Sequence, residues 1–413
     1  MKKLSVISVV FFLLSGIFSI NSSASEPLKD YSFIRGICYP GGWSGDQKTI
    51  ERDLGYAKRL HINSTRIWLS YRGYNQDPKS YIEKLRNYVR TAFSFGITTM
   101  PVLFNGNNLN PATLINEFRD TTANKYVKAI VDAIKNEPGL LIWDIMNEPS
   151  WNDYLLKSPP EEKQKRESEV NDFVRYYCSY VKKLDPRNAI TVGHTFAADI
   201  PMAGDLVDVI SFHDYLPTRK KVENSYIEAE KFANKYNKPI INSELGCIGR
   251  ANSYDMALEI CENHKMGWYV FELMVQGYWS DIHGLVYPDG TIRDPSIIAA
   301  LFGFYRNRDL KTSIKPNPNK EGHVDKALEM LEKALKDEPT GSRIRKTSSD
   351  EILEAAEYCA NLLEAAEMVP MYEPPTAKIQ TWRSMPENER DIEAIRTFAY
   401  ELGLTLKKYC KIL

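Results

Sequence analysis

Neither sign of charge is in excess in this 413-residue chain: 53 Lys and Arg stand against 54 Asp and Glu, a formal net charge of −1. No global field therefore favours nucleic acid or an anionic membrane. Cysteine is scarce. Six in a chain this long do not build a disulfide scaffold. No C-x-x-C pair exists, which argues against a zinc knuckle. The spacing of the six does not select a pairing. Cys359 and Cys410 both fall in the C-terminal segment, and a bridge is expected there. Gly41-Gly42-Trp43 is not the G-x-G-x-x-G turn of a dinucleotide site. No internal repeat is visible. Beyond the first apolar run, no segment is suited to spanning a bilayer.

That first run reads as a signal peptide over residues 1–24. Lys2 and Lys3 supply the positive start, Val6 to Phe18 the apolar stretch, and Ser22-Ser23-Ala24 small residues for cleavage. No cysteine follows closely enough for a lipid anchor. The expected location is secreted or periplasmic. Tyrosine (24) and tryptophan (7) are plentiful, which suits sugar binding, although most such rings serve the core.

Between residues 30 and 308 short apolar runs alternate with amphipathic stretches. The expected strands are Phe33–Tyr39, Ser64–Ser70, Thr98–Phe104, Leu140–Met146, Ala189–His194, Val207–His213, Pro239–Ser243 and Trp268–Met274. Most are β-branched or aromatic and do not alternate, as parallel strands buried on both faces require. Helical patterns at Thr49–Leu60, Tyr81–Phe95, Asn124–Lys135, Glu167–Lys183, Ser225–Tyr236, Tyr254–His264 and Ser296–Tyr305 separate them, and the fifth crossover is abbreviated. Eight such units imply an α/β fold, a (β/α)8 TIM barrel, over residues 25–312. Lys315-Pro316-Asn317-Pro318-Asn319-Lys320 reads as a linker. The rest of residues 313–413 reads as an almost wholly helical appendage, with helices expected at His323–Lys336, Ser349–Met368 and Asp391–Leu413. It is a packed appendage or a docking surface for a partner.

In TIM barrels the reactive groups sit at the C-terminal ends of strands. The fourth strand ends in Asn147-Glu148-Pro149 and the seventh in Ser243-Glu244-Leu245-Gly246. Two carboxyl groups facing each other across a barrel mouth are what glycoside hydrolysis needs: one donates a proton to the leaving oxygen, the other attacks or activates water. Asn-Glu-Pro alone often only caps a helix. Its place after an apolar strand, with a second Glu three units later, is the stronger signal. A metal-dependent hydrolase would carry a donor cluster such as His-x-His on strand one, where Cys38-Tyr39 stands instead. No metal or cofactor is expected. A glycan-binding protein on a decayed barrel is the non-enzymatic alternative.

Ile142-Trp143-Asp144-Ile145-Met146-Asn147-Glu148-Pro149 resembles the acid/base signature of clan A glycoside hydrolases, and most closely glycoside hydrolase family 5, the cellulase and mannanase family, over about residues 30–308. The resemblance implies a retaining β-glycosidase with Glu148 as acid/base, Glu244 as nucleophile and Asn147 on the sugar 2-hydroxyl. It further implies that Arg66, in Ser64-Thr65-Arg66-Ile67-Trp68, braces Glu244, with His213 and Tyr215 of His213-Asp214-Tyr215 beside it. The sequence departs from the family at two places. Asn105 stands after strand three in place of a histidine, as a candidate hydroxyl ligand. Phe271 stands where a tryptophan would stack under the sugar. Trp43 and Trp279, in loops after strands one and eight, are candidate sugar platforms, and Trp143 is expected in the core. Glu272 either pairs with a basic neighbour or points into the site. His194 is expected to be a structural residue. The segment Trp151–Arg166 is expected to be a long loop that walls one end of the cleft. Sugar identity, and endo or exo action, stay open.

Overall fold

The computed structural model describes residues 27–276, 283–303, 323–336, 338–340, 343–345, 347–365 and 374–410. The expected signal peptide, the linker and Trp279 lie outside them.

All eight expected strands form: β1 (Arg35–Cys38), β2 (Ser64–Trp68), β3 (Thr98–Asn105), β4 (Ile142–Asn147), β5 (Ala189–Gly193), β6 (Ile210–Asp214), β7 (Ile240–Leu245) and β8 (Gly267–Val270). They lie in the order 5-4-3-2-1-8-7-6, and each ladder within it is parallel. A parallel bridge between His194 and Phe212 brings β5 to β6, with the His213 N–H donating to the His194 carbonyl at 2.9 Å. The result is a nearly closed barrel. Its strands are buried on both faces, which explains why their apolar runs do not alternate. Tyr31, Ile34, Met100, Ile142, Val209, Ile241 and Tyr269 cluster inside it. A larger apolar shell joins the strands to the helices, with Trp143 and Trp43 in it.

The crossovers are α1 (Gln47–Arg59), α2 (Pro78–Ser94), α3 (Asn124–Ile134), α4 (Lys163–Leu184), a 3-10 turn at Ala197–Met202, α5 (Arg219–Tyr236), α6 (Tyr254–Asn263) and α7 (Pro295–Phe302). The fifth crossover is short, as expected. Local chemistry sets the boundaries. Asp46 and Asp77 accept from Thr49 N and Ser80 N to cap α1 and α2, with Pro78 opening the latter. Asn237 in the left-handed region, φ 52°, ends α5.

Beyond the barrel come α8 (His323–Leu335), α9 (Ser349–Ala365), α10 (Pro375–Arg383) and α11 (Ile392–Cys410). The appendage is not wholly helical. Glu338–Thr340 and Arg343–Arg345 pair as a short antiparallel hairpin that three-residue strands give no periodicity to reveal. Ser348 and Glu351 form a reciprocal cap on α9, at 2.9 and 3.3 Å. A separate apolar core, built on Ala327, Leu331, Ile352, Leu363, Ile379 and Ala399, holds these helices together. Cys359 is a free thiol in that core, donating to the Ala327 carbonyl at 3.6 Å, so the expected bridge to Cys410 does not form. Among the described residues, no helix is long and apolar enough to cross a membrane.

Candidate active site

The site begins with a buried cation. Arg66 leaves β2 pointing into the barrel and is fully enclosed. Its Nε and Nη2 donate to Asp144 Oδ2 at 2.9 and 2.7 Å, Nη2 also to Asn147 Oδ1 at 2.8 Å, and Nη1 to Glu244 Oε1 at 2.5 Å. Burial works against the charge, but Asp144 and Glu244 outweigh it and raise Arg66. The fixed fork of a guanidinium suits this multiple contact. One residue thus ties β2, β4 and β7 together beneath the mouth.

Asp144, which sequence reasoning did not select, is the keystone of this contact. Its Oδ1 accepts from Gly193 N and Met146 N at 3.1 and 3.2 Å, while Oδ2 takes the guanidinium. The signal available in the sequence is an acid embedded in an apolar strand, Ile142-Trp143-Asp144-Ile145-Met146. Such an acid must be paired.

Glu148 follows β4 with φ 47°, a conformation a non-glycine residue holds only when its surroundings impose it. Its N–H donates to the Gly193 carbonyl at 2.7 Å. Gly106 sits against it so closely that a Cβ there would come 1.9 Å from the Glu148 carbonyl oxygen. This locked turn aims the carboxyl into the mouth. Burial, partly offset by Arg66 and Arg250, pushes Glu148 up from the ordinary glutamate range.

Glu244 lies opposite, near the end of β7. Besides Arg66 it accepts from the Tyr215 hydroxyl at 2.9 Å. His213 stands between the two acids, its Nδ1 2.9 Å from Glu148 Oε1 and 3.6 Å from Glu244 Oε2. Burial drives His213 down to about 3 against the pull of Glu244, so the ring is neutral at ordinary pH. Donor atoms of Glu148, His213 and Glu244 all lie within 4.8 Å of one another. Among the described residues this is the group able to share a metal ion, but the Arg66 guanidinium already occupies Glu244 and opposes a second cation there.

These residues open into a cleft of about 510 Å³, lined also by Asn105, Asn107, Trp68, Trp151, Arg250, Phe271, Glu272 and His283. Asn105 Oδ1 lies 3.4 Å from Asn147 Nδ2. Phe271 reaches the cleft, its ring edge-on to Trp68 and His283. Trp43 does not. It is 3% exposed, donates to the Trp68 carbonyl at 2.9 Å and packs edge-on to Tyr81. The expectation of a platform there is corrected: the turn at Gly42–Ser44 folds the indole inward, against α2. Trp68 and Trp151, neither selected beforehand, line the cleft instead. Trp151 is 47% exposed and sits edge-on to Phe196. It alone of segment 151–166 lines the cleft; the rest is a short helix at Asp153–Leu156, an irregular stretch over 157–162 and the start of α4, not the long wall expected. His194 is buried in the barrel closure and, driven down to about 3 by burial and by His213, is neutral.

Solved structures share the barrel. GH5_18 from Streptomyces cattleya in complex with GlcNAc aligns with TM-score 0.53 and 14% identity, over 70% of this chain and 82% of that one. The endo-1,4-beta-mannanase from Rhizomucor miehei aligns with TM-score 0.52 and 16% identity, over 65% and 92%. No curated protein matches. At such identities these likenesses establish the fold alone. The model of the cellulase family, glycosyl hydrolase family 5, matches residues 25–280 and so spans β1 to β8 with Glu148 and Glu244. With more than half of its length matched, the chain belongs to glycosyl hydrolase family 5 and is a glycoside hydrolase.

Proposed function

We propose that the chain is a retaining β-glycosidase acting by double displacement on a β-linked oligo- or polysaccharide. The observation that carries this reading is that Glu148 and Glu244, from opposite walls of the barrel, bring carboxyl oxygens within 4.8 Å of each other. Retention calls for carboxyl groups roughly 5–5.5 Å apart, and inversion for a wider gap that holds a water. In the first step Glu244 attacks the anomeric carbon as the bond to the leaving oxygen breaks, and the Glu148 proton passes to that oxygen. In the second, Glu148 takes a proton from water. The resulting oxygen attacks the same carbon, and the ester to Glu244 breaks. His213 and Tyr215 hold the two acids in place, and Asn147, fixed by Arg66, is positioned for the sugar 2-hydroxyl. Trp68, Phe271 and Trp151 offer faces or edges to sugar C–H groups.

Glu148→Gln and Glu244→Gln variants should each lose roughly 10²–10⁴-fold or more in kcat on a panel of aryl β-glycosides, β-mannan and β-glucan. Glu148→Ala with azide present should yield a β-glycosyl azide, because the glycosyl–Glu244 ester persists without the acid/base. Either Gln variant turning over near the wild-type rate, or an α-anomer as first product by proton NMR, would overturn the mechanism. Activity should also survive dialysis against a chelator.

We further infer export to a secreted or periplasmic location, supported by the Lys2-Lys3 start and the Val6–Phe18 apolar run. N-terminal sequencing of protein recovered outside the cytoplasm should begin after Ala24; a chain retaining Met1 in the cytoplasm would refute this.

A further inference from the structure

A third carboxyl group faces the same cleft, and the double displacement does not use it. Glu272 follows β8 beside Phe271 and lines the cleft with Glu244 and Trp68. It is 8% exposed. Among the described residues no side chain or backbone N–H donates to its carboxyl and no cation pairs with it. The other buried acids of this barrel are treated differently: Asp144 takes a guanidinium and two backbone N–H groups, and Glu244 takes a guanidinium and a phenol. A buried carboxyl without a partner costs stability. Its polar atoms are left to whatever enters the cleft.

We propose that Glu272 is a substrate-binding residue: its carboxyl recognises a hydroxyl of the sugar seated over Glu244, as a neutral group that both donates and accepts. This rests on the glycosidase reading above and adds a specificity determinant to it. Among the described residues, three titratable groups interact electrostatically with Glu272 from the elements around it. Glu244 approaches from β7, Cys38 from β1 and Tyr254 from α6. Burial and neighbouring charge push the Cys38 thiol and the Tyr254 phenol up, so neither is charged in the working range. Glu244 is the neighbour whose charge acts on it. Burial first, and Glu244 second, push Glu272 up to about 8. Below that pH the carboxyl keeps its proton and can donate to a sugar oxygen while its carbonyl accepts. Above it the donor is lost, and a second negative charge stands beside Glu244, where the arriving sugar must displace water from both. A neutral carboxyl in an apolar site is an effective hydrogen-bond donor.

The test compares Glu272→Gln and Glu272→Ala with wild type on whichever of 4-nitrophenyl β-glucoside, 4-nitrophenyl β-mannoside and β-1,4-mannan the wild type cleaves best. Gln keeps a donor and an acceptor and cannot ionise. It should hold kcat/KM within a few-fold at pH 6 and remove the rise in KM that wild type shows above pH 8. Ala should lose roughly tenfold in kcat/KM at pH 6, mostly through KM, the scale of one lost substrate hydrogen bond. The melting temperature of each variant is measured alongside, so that activity lost through unfolding is told apart from activity lost through recognition. An active wild type with Ala at the wild-type kcat/KM, or with Gln as poor as Ala, overturns the assignment of Glu272 and leaves the double displacement standing. A wild type inactive on all three probes instead sinks the glycosidase reading on which the assignment depends.

Discussion

Asp144 and Arg66, both fully buried and neither lining the cleft, show how much of this site rests on residues beneath it. The guanidinium is enclosed and shared among Asp144, Asn147 and Glu244. Removing one partner of such a pair leaves an uncompensated buried charge, at a cost of about 3–5 kcal/mol. Asp144→Ala should therefore shift the denaturation midpoint by that order, and in the folded fraction lower kcat more than KM as Glu244 and Asn147 lose their brace. An unchanged urea midpoint would show that Arg66 finds another counter-ion. Glu272 bears on pH as well. Its folded value, about 8, lies above the unfolded glutamate value near 4.3, so the native state binds more protons between these limits. Its contribution to stability is present below about pH 4 and is lost as pH rises through 8. Glu272→Gln should thus gain more in melting temperature at pH 9 than at pH 5, as calorimetry at the two values would show. Glu148, Glu244, Asn147 and Arg66 could be picked out from the sequence because they stand on or at the ends of apolar strands, and the structure brings them together. Asp144 was not selected, because a single acid in an apolar strand does not say what it pairs with. Glu272 was seen but ambiguous for the same reason.

At the level of elements, the strand ends decide what the side chains do. Gly193 closes β5 where three site residues crowd it: a Cβ there would approach Arg66 Nη2 at 2.6 Å, and Asp144 Oδ2 and His213 Nε2 at 3.0 Å each. Asp144 and Arg66 are locked, so Gly193→Ala should displace the Glu148 turn, whose N–H bonds the Gly193 carbonyl. Misplacement of reacting groups by about 1 Å costs roughly 10²-fold, and kcat/KM should fall on that scale with circular dichroism unchanged. An active Gly193→Ala enzyme would show that the β4–β5 ladder has slack. All eight strands and the barrel's crossover helices were visible from composition and periodicity. Several bounds moved by a few residues, because caps such as Asp77 and Thr218 set the ends. The pairing of Glu338–Thr340 with Arg343–Arg345 and the helix Pro375–Arg383 were not foreseen: one is too short to show a period, and the other is short and flanked by Pro374 and Pro386, which interrupt any helical pattern.

In the molecule as a whole, the helical appendage sits at the far end of the barrel from the cleft. Lys58 and Ser94, at the C-terminal ends of α1 and α2, meet it there. Asn361 Nδ2 donates to the Ser94 carbonyl at 2.9 Å, Lys58 Nζ bonds Asn361 and lies 3.3 Å from Glu364, and Phe93 packs on Tyr358 and under Lys326. Those helix ends lead into the starts of β2 and β3, opposite the strand ends that carry Glu148 and Glu244. Asn361→Ala should lower stability by about 1–2 kcal/mol, read from the denaturation midpoint, and leave kcat/KM unchanged. A loss of activity would mean that the appendage reaches the cleft. The barrel, its strand count and the two strand-end acids follow from local pattern, since buried parallel strands and amphipathic helices leave their mark residue by residue. Whether an indole faces a sugar or the core depends on how a loop folds over its neighbours. So does whether an acid is paired or left open to a ligand. Only the tertiary structure could decide these, placing Trp43 inside, Trp151 and Trp68 at the cleft, and Glu272 there with no partner among the described residues, because each outcome depends on contacts between segments far apart in the chain.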